Sequence, residues 1–300
     1  MWRPAIRAVT VPLWATRHVG LIEQLSLSWQ TDLIFARFDG QVLERDDCVV
    51  VRTPGNPRFY WGNCLILPQP PSDAALAHWL HRFDEEVGRF TAESGHVAIG
   101  YDASGPHQPL LAWAAAGFEI HVTECLVLNS AQQPTERKHL PAEFDFRPLD
   151  LTQAGDFAAV LNLQCDSVGA EQGFEPNSYR IFREQQMLRY RAMQIAGLGH
   201  WFGIWCGAQL LADCGLFRQR DLGRFQYVGT HPAWRRRGLC TALIAGVLSY
   251  GFERMGLAKL VMCADPHEAA IAIYRSCGFA SVSRCFAAQR RPARDVRASV

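Results

Sequence analysis

The part of the chain best suited to bind an anion is Val228-Gly229-Thr230-His231-Pro232-Ala233-Trp234-Arg235-Arg236-Arg237-Gly238-Leu239-Cys240-Thr241. It predicts a strand, a short loop with three arginines, and a glycine that opens a helix. The first N–H groups of a helix have no intrahelical partners, and the helix dipole adds about half a positive charge there. Small residues after Gly238 leave these groups accessible. The segment predicts a pyrophosphate site, although the arginines alone would also fit a solvated basic turn.

Two motifs in the C-terminal half resemble those of a known family. Arg235-x-x-Gly238-x-Cys240 looks like the Q/R-x-x-G-x-G/A signature of the GNAT superfamily of N-acetyltransferases, with cysteine in the last small position. The segment from His267 through Tyr274 to Gly278-Phe279 resembles the N-x-x-A-x-x-L-Y-x-x-x-G-F motif, with histidine replacing the asparagine. The motifs have the order and spacing of the family, and the resemblance covers about residues 143–290.

The resemblance implies an acetyl-CoA site between the strands 225–230 and 259–264. In that site Val228 and Thr230 would hydrogen-bond the pantetheine arm, and the Val228 amide would polarise the thioester carbonyl. The residues implied in cofactor binding are Val228, Gly229, Thr230, Arg235, Arg236, Arg237, Gly238, Leu239, Cys240, Thr241 and His267.

Two of the implied roles have alternatives. Tyr274 would protonate the departing thiolate, but a core tyrosine on an amphipathic helix would have the same spacing. His267 either replaces the hydrogen bond of the asparagine to the cofactor or is exposed.

The base that would deprotonate an amine acceptor is not on the strand before the arginine loop, because residues 225–229 contain no acidic side chain. Asp213 is the nearest candidate, because it lies on the strand that precedes 225–230. It stands in an apolar run, where burial would raise its pKa. His231 is a second candidate. If Asp213 is not the base, we expect an ordered water to accept the proton of the amine.

Hydrophobic periodicity predicts the elements that position these residues. We expect helices at 152–165 and 177–195, a hairpin of strands 201–205 and 210–217 turning at Gly207, and strands before and after a helix at 238–255. This alternation predicts an α/β (α+β) fold with mixed, mostly antiparallel twisted sheets flanked by helices. Three N-terminal strands are predicted at 47–52, 59–67 and 96–101.

The two halves of the chain have the same order of predicted elements. The pattern of each half predicts a strand, a long helix, a strand and a short helix, in that order. In addition, the motif Trp113-x-x-x-Gly117-Phe118 matches Tyr274-x-x-x-Gly278-Phe279. This predicts two GNAT-like domains, 1–140 and 141–300, separated by the polar segment 129–143.

The N-terminal domain is expected to be degenerate. Pro68-Gln69-Pro70-Pro71 stands where the arginine loop would be, and prolines lack the N–H donors that a pyrophosphate needs. Tyr60, Trp61 and Trp79 either wall the acceptor site or belong to the core.

Composition excludes several classes of protein. With 30 basic and 29 acidic residues among 300, the net charge of +1 argues against nucleic-acid binding. The ten cysteines include no C-x-x-C pair, so we expect buried thiols in a reducing, cytoplasmic setting and no metal site. No apolar stretch is long enough to span a membrane.

The sequence therefore predicts an acetyl-CoA-dependent N-acetyltransferase, a monomer or homodimer, that acts on a small-molecule or peptide amine by direct attack. The alternative is a non-catalytic acyl-CoA-binding sensor or scaffold.

Overall fold

The computed structural model describes residues 20–91, 94–103, 108–133, 140–167 and 176–292, and in these residues 11 strands form one sheet flanked by eight helices. The helices are α1 (Leu21–Gln24), α2 (Leu27–Asp39), α3 (Leu76–Glu86), α4 (Leu111–Ala115), α5 (Ala154–Ser167), α6 (Pro176–Ile195), α7 (Leu239–Glu253) and α8 (Ala270–Ser276). The strands are β1 (Gln41–Glu44), β2 (Val49–Arg52), β3 (Cys64–Leu67), β4 (Val97–Asp102), β5 (Glu119–Asn129), β6 (Phe144–Leu149), β7 (Gly199–Cys206), β8 (Gln209–Gln219), β9 (Leu222–Thr230), β10 (Lys259–Ala264) and β11 (Ala280–Arg290).

The sheet has the strand order β1-β2-β3-β4-β11-β5-β10-β9-β8-β7-β6. Two neighbouring pairs, β3–β4 and β9–β10, are parallel, and the other pairs are antiparallel. The predicted mixed, mostly antiparallel sheet with flanking helices is confirmed. The predicted hairpin is also present, and Gly207 has a φ of +56° at its turn, a conformation that favours glycine.

The two halves of the chain exchange one strand each. β5 comes from the N-terminal half and lies between β10 and β11, while β11 comes from the C-terminal half and lies between β4 and β5. Strands of both predicted domains thus lie in one sheet. The boundary at 140/141 stays a prediction, and residues 134–139 of the polar segment lie outside the described residues.

The matching Gly-Phe motifs end α4 and α8 in the same way. Gly117 has a φ of +84° and Gly278 a φ of +97°. The Phe118 N–H donates to the Trp113 carbonyl at 3.0 Å, and the Phe279 N–H donates to the Tyr274 carbonyl at 3.2 Å. This is a Schellman cap, which requires a left-handed residue that glycine adopts without steric cost. The local resemblance of the halves therefore extends to their backbone geometry.

The predicted strand over 59–67 is wrong in its first part. Tyr60–Gly62 is a single 3₁₀ turn, and the strand begins at Cys64. The reason is Asn63, whose side-chain amide donates to the Asn56 and Phe59 carbonyls, both at 2.9 Å. Its carbonyl oxygen accepts from the Thr53 N–H at 2.9 Å. These bonds hold a compact loop in place of extended backbone.

The apolar core lies on both faces of the sheet. One cluster packs β8–β10 against α7 and α8, and another packs Trp201 and Phe217 against Tyr190 of α6. Tyr60, Trp61 and Trp79 are half-buried and pack against the core. Tyr60 stacks on His96 at 4.3 Å, and Trp61 lies 6.1 Å from Trp29, centroid to centroid. None of the helices in the described residues has the length and apolar character needed to cross a membrane.

Candidate active site

A V-shaped gap opens between β9 and β10. Their pairing runs from Lys259 opposite Leu222 to Val261 opposite Arg224 and ends there, although both strands continue. Among the described residues, the backbone groups of the two strands that follow this pair are not paired across the gap. An extended chain could add to this edge in the manner of a strand.

Backbone N–H groups near the end of β9 point alternately toward β8 and toward this gap. The His231 N–H donates to the Leu211 carbonyl of β8 at 2.8 Å. N–H groups alternate between the two edges of a regular strand, so the Gly229 N–H also faces β8, while that of Thr230 faces the gap. Thr230, one of the two residues that the sequence analysis assigned to the pantetheine arm, therefore presents a donor to the gap.

A bulge in β9 lies beside these donors. Asp213 pairs with Gly229, and Gly215 pairs with Gln226, so Tyr227 and Val228 together oppose one residue of β8. Tyr227 has a φ of +45°, which is strained for an aromatic residue. Bulges of this kind redirect backbone groups, and strain of this kind concentrates at functional sites.

The arginine loop leads directly into α7. Gly238 is the N-cap with a φ of +80°, and Arg236 has a φ of +62°. The guanidinium of Arg235 is tied to the chain, since it donates to the Thr230 and Ser167 carbonyls, both at 3.3 Å. Arg237 stacks over Trp234 at 4.7 Å. No side chain caps the first turn of α7, because glycine has none, so its N–H groups are open to an anion.

The first turn of α7 and Tyr274 approach each other in the core. Leu239 is buried, Cys240 is half-buried, and Tyr274 is 5% exposed in the same apolar cluster. Burial raises the pKa of the Tyr274 phenol, with nearby Cys240 and Cys214 acting in the same direction. The phenol thus stays protonated at neutral pH, which is the form that can donate a proton.

Asp213 is fully buried in β8, directly opposite Gly229. Its Oδ2 accepts from Gln164 Nε2 at 2.9 Å and from Trp201 Nε1 at 3.0 Å. Among the described residues, no group hydrogen-bonds to Oδ1. Burial raises the pKa of Asp213 to about 6, against the opposing effect of these two hydrogen bonds and of Arg183. A carboxylate with this pKa is suited to accept a proton near neutral pH.

A polar network that the sequence analysis missed surrounds Asp213. Arg183 donates from Nε to Gln164 Oε1 at 2.9 Å, and its guanidinium lies 4.3 Å from the Tyr227 ring centroid. Gln164 thereby links a buried cation to the Asp213 carboxylate. The available signal was the position of Arg183, four residues before Met187, on the helix face that also includes Tyr190.

The two histidines of the sequence analysis have simpler surroundings. The His231 ring accepts a hydrogen bond from the Ala233 N–H at 3.2 Å and so caps a short turn. His267 is exposed, and its backbone N–H donates to Asp265 Oδ1 at 2.8 Å. Neither histidine contacts Asp213.

The N-terminal half contributes two further groups beside the gap. Arg224 of β9 donates to Thr31 Oγ1 at 2.6 Å and lies 3.5 Å from Asp32, which fastens α2 at the apex of the gap. Glu124 of β5 is buried and accepts from Arg275 at 2.5 Å, next to Tyr274 on α8. No cluster of three or more His, Cys, Asp or Glu side chains in the described residues could hold a metal ion.

Replacing Gly229 tests the packing of this site. An added Cβ would lie 2.8 Å from Asp213 Oδ1 and 2.7 Å from the Tyr227 ring. Gly229→Ala is expected to lower the free energy of unfolding by about 1–3 kcal/mol, the usual cost of overpacking. Urea denaturation measures this, and Gly155→Ala, where the added methyl meets open space, is the control. Equal stability of the two variants would contradict the packing described here.

Comparisons with known proteins agree with this geometry. Residues 169–279 match the model of the acetyltransferase (GNAT) family. No curated protein matches the chain.

Solved structures similar to the chain share its fold along most of its length. One is a conserved protein of unknown function from Staphylococcus epidermidis (TM-score 0.64, 16% identity, 85% of this chain and 95% of that one). A second is a GCN5-related N-acetyltransferase from Kribbella flavida (TM-score 0.60, 14% identity, 88% and 93%). A third is a tandem GNAT protein from the clavulanic acid biosynthesis pathway (TM-score 0.54, 14% identity, 90% and 93%). The family match over residues 169–279 spans both the gap and the arginine loop, and this part of the chain is similar to a GNAT acetyltransferase domain.

Proposed function

We propose that the protein is an acetyl-CoA-dependent N-acetyltransferase whose site lies in its C-terminal half. The observation that supports the proposal is the gap between β9 and β10, which the Thr230 N–H faces at the end of β9 that leads into the arginine loop. Acetyl-CoA supplies an acetyl group activated as a thioester. The amide of Val228 is our proposed donor to the carbonyl oxygen, on which negative charge develops during the reaction.

The arginine loop and the start of α7 fit the pyrophosphate of this cosubstrate. Arg236 and Arg237 supply positive charge, and the N–H groups of Leu239, Cys240 and Thr241 supply donors at the positive end of the helix dipole. Arg235 has a different role, because its guanidinium already bonds two carbonyls that shape the loop. The residues present therefore suit the group that the family implies.

Asp213 is our proposed base for the acceptor amine. It is fully buried, so the proton reaches it through an ordered water beside Gly229 and Tyr227 and not by direct contact. The amine then attacks the acetyl carbon directly, and Tyr274 protonates the departing thiolate. The acceptor is an amine of a small molecule or a peptide.

The N-terminal half is proposed not to bind coenzyme A. The corresponding position between β3 and β4 is closed, because the two strands pair up to the last residue of β3. This residue, Leu67, lies opposite Tyr101. Trp113 stands where the C-terminal half has Tyr274, and its indole N–H donates to the Ser72 carbonyl at 3.2 Å. An indole is not an acid at neutral pH, so this half supplies structure.

Release of coenzyme A in the presence of a panel of amines tests the proposed reaction. We expect amine-dependent release that is saturable in acetyl-CoA. A second candidate, an acyl-CoA sensor without turnover, is favoured by the absence of an acidic side chain from 222–230 and by the burial of Asp213. Tight acetyl-CoA binding with no release from any amine would identify the sensor, and no binding would contradict both.

Tyr274→Phe tests the proposed acid. The ring stays in the core while the proton donor is lost, so kcat is expected to fall about 100-fold with little change in Tm. Tyr250→Phe is the matched control, because Tyr250 packs in the same cluster at 5.0 Å from Phe202 and far along α7 from the arginine loop. Equal kcat values for the two variants would assign Tyr274 to the core alone.

A further inference from the structure

Three cysteines from three neighbouring strands meet at the apex of the gap. Cys263 of β10 lies directly opposite Cys125 of β5 in the antiparallel register. Ser28 of α2 connects the third, since its Oγ lies 3.2 Å from Cys263 Sγ and accepts from Cys285 Sγ at 3.3 Å. The cluster joins elements from both halves of the chain.

Cys263 is the accessible member of this cluster. It is half-buried, whereas Cys125 and Cys285 are buried. It also lies beyond Val261, the last residue of β10 that pairs with β9, and therefore beside the gap. A small polar reagent that enters the gap meets Cys263 before the other two thiols.

The surroundings of Cys263 favour its thiolate form. The Cys125 thiol donates a hydrogen bond to the Cys263 sulfur, and the Arg224 guanidinium adds positive charge nearby. Together with the contact from Ser28, these groups lower the pKa of Cys263, against the effects of burial and of Asp32. Burial and the same hydrogen bond raise the pKa of Cys125. One thiol of the pair is thus the nucleophile, and its partner stays protonated.

We propose that Cys263 and Cys125 are a peroxide-reactive thiol pair, with Cys263 as the oxidised nucleophile and Cys125 as the resolving thiol. The Cys263 thiolate attacks hydrogen peroxide, the O–O bond breaks, and a sulfenic acid forms with release of hydroxide. The Cys125 sulfur then attacks the sulfenic sulfur, a disulfide forms, and water leaves with the Cys125 proton. Sulfur loses two electrons overall, and peroxide gains them.

The backbone permits this bond without rearrangement. Directly opposed Cα atoms of an antiparallel pair lie about 4.5–5.5 Å apart, and disulfides span about 4.4–6.8 Å between Cα atoms. The bond would tie a strand of the N-terminal half to a strand of the C-terminal half, beside the proposed acetyl-CoA site. The thiol pair does not depend on that proposed function.

Peptide mapping of the wild-type protein after treatment with hydrogen peroxide tests the proposal without any activity measurement. Free thiols are alkylated after the treatment. The expected major product is a Cys125–Cys263 disulfide that a dithiol reductant reverses. Cys165 is the internal control, because it is also half-buried but burial raises its pKa, so it is expected to oxidise more slowly.

Variants identify the order of the two steps. In Cys125→Ser, Cys263 should accumulate as a sulfenic acid that a dimedone-type reagent traps, and in Cys263→Ser Cys125 should stay reduced. Oxidation of Cys165 before Cys263, a disulfide from Cys263 to Cys285, or no disulfide in the wild-type protein would each overturn the proposal. Because the mapping uses the wild-type protein, a variant that does not fold leaves the test intact.

Discussion

Asp213→Asn is expected to slow acetyl transfer by about 10²- to 10⁴-fold, the usual contribution of a positioned base. The amide keeps the shape of the carboxyl group and an oxygen that accepts from Gln164 and Trp201, but it cannot take a proton. Acetyl-CoA binding is expected to be unchanged, because Asp213 lies behind β9 and not in the gap. Steady-state kinetics and calorimetric titration measure the two effects.

The pH dependence of the proposed reaction in the wild-type protein should report the same group. The pKa of Asp213 is raised to about 6, so the base is deprotonated above this pH and protonated below it. The rate is therefore expected to fall as the pH drops through about 6. The Asn variant should lose this step in its profile, and a variant that keeps it would contradict the assignment.

The same substitution should stabilise the protein at neutral pH. A carboxyl group whose pKa rises from 3.8 to about 6 on folding binds its proton more tightly in the folded state. The carboxylate thus costs the folded protein up to about 3 kcal/mol above pH 6 and nothing below about pH 4. Asp213→Asn should raise the unfolding midpoint in urea at pH 7 but not at pH 4. Asp221→Asn, at an exposed position, is the control and should do neither.

Arg236→Glu combined with Arg237→Glu is expected to weaken acetyl-CoA binding by about 10²- to 10⁴-fold. Each arginine would make a charge-assisted hydrogen bond worth about 1.5–3 kcal/mol, and the two losses add to this range. The stabilisation of the protein by acetyl-CoA, seen as a rise in Tm, should disappear with the binding. Thermal unfolding with and without acetyl-CoA measures this.

Arg37→Glu combined with Arg254→Glu provides the matched control. Both residues are exposed and lie outside the arginine loop, and the double substitution changes the net charge by the same amount. Acetyl-CoA should still raise its Tm. A similar loss in both double variants would show that overall charge, and not the loop, governs binding.

Local features of this fold can be predicted from the sequence because neighbouring residues determine them. Gly117 and Gly278 each follow a short apolar helix, and both have the left-handed conformation that ends it. Asp213 stands in an apolar run, and the strand that contains it is buried. The sequence analysis predicts no strand at 119–129, where the 11-residue strand β5 lies.

The other features of the fold and of the candidate site depend on contacts between distant parts of the chain. Gln164 and Arg183 reach Asp213 from two helices, and nothing in their own neighbourhoods shows which strand they will meet. Cys125 and Cys263 are adjacent only because β5 enters the sheet of the other half. The residues next to Tyr227 in the sequence do not predict a bulge there. The bulge, and with it the strained backbone of Tyr227, results from the pairing of β9 with β8.

The exchange of β5 and β11 sets an order for folding during synthesis. The N-terminal half needs a strand between β4 and β5, and that strand, β11, is made by the ribosome after every other strand of the sheet. Until it emerges, β4 and β5 expose unpaired edges that invite aggregation. The nascent N-terminal half therefore cannot complete its part of the sheet before β11 has been synthesised.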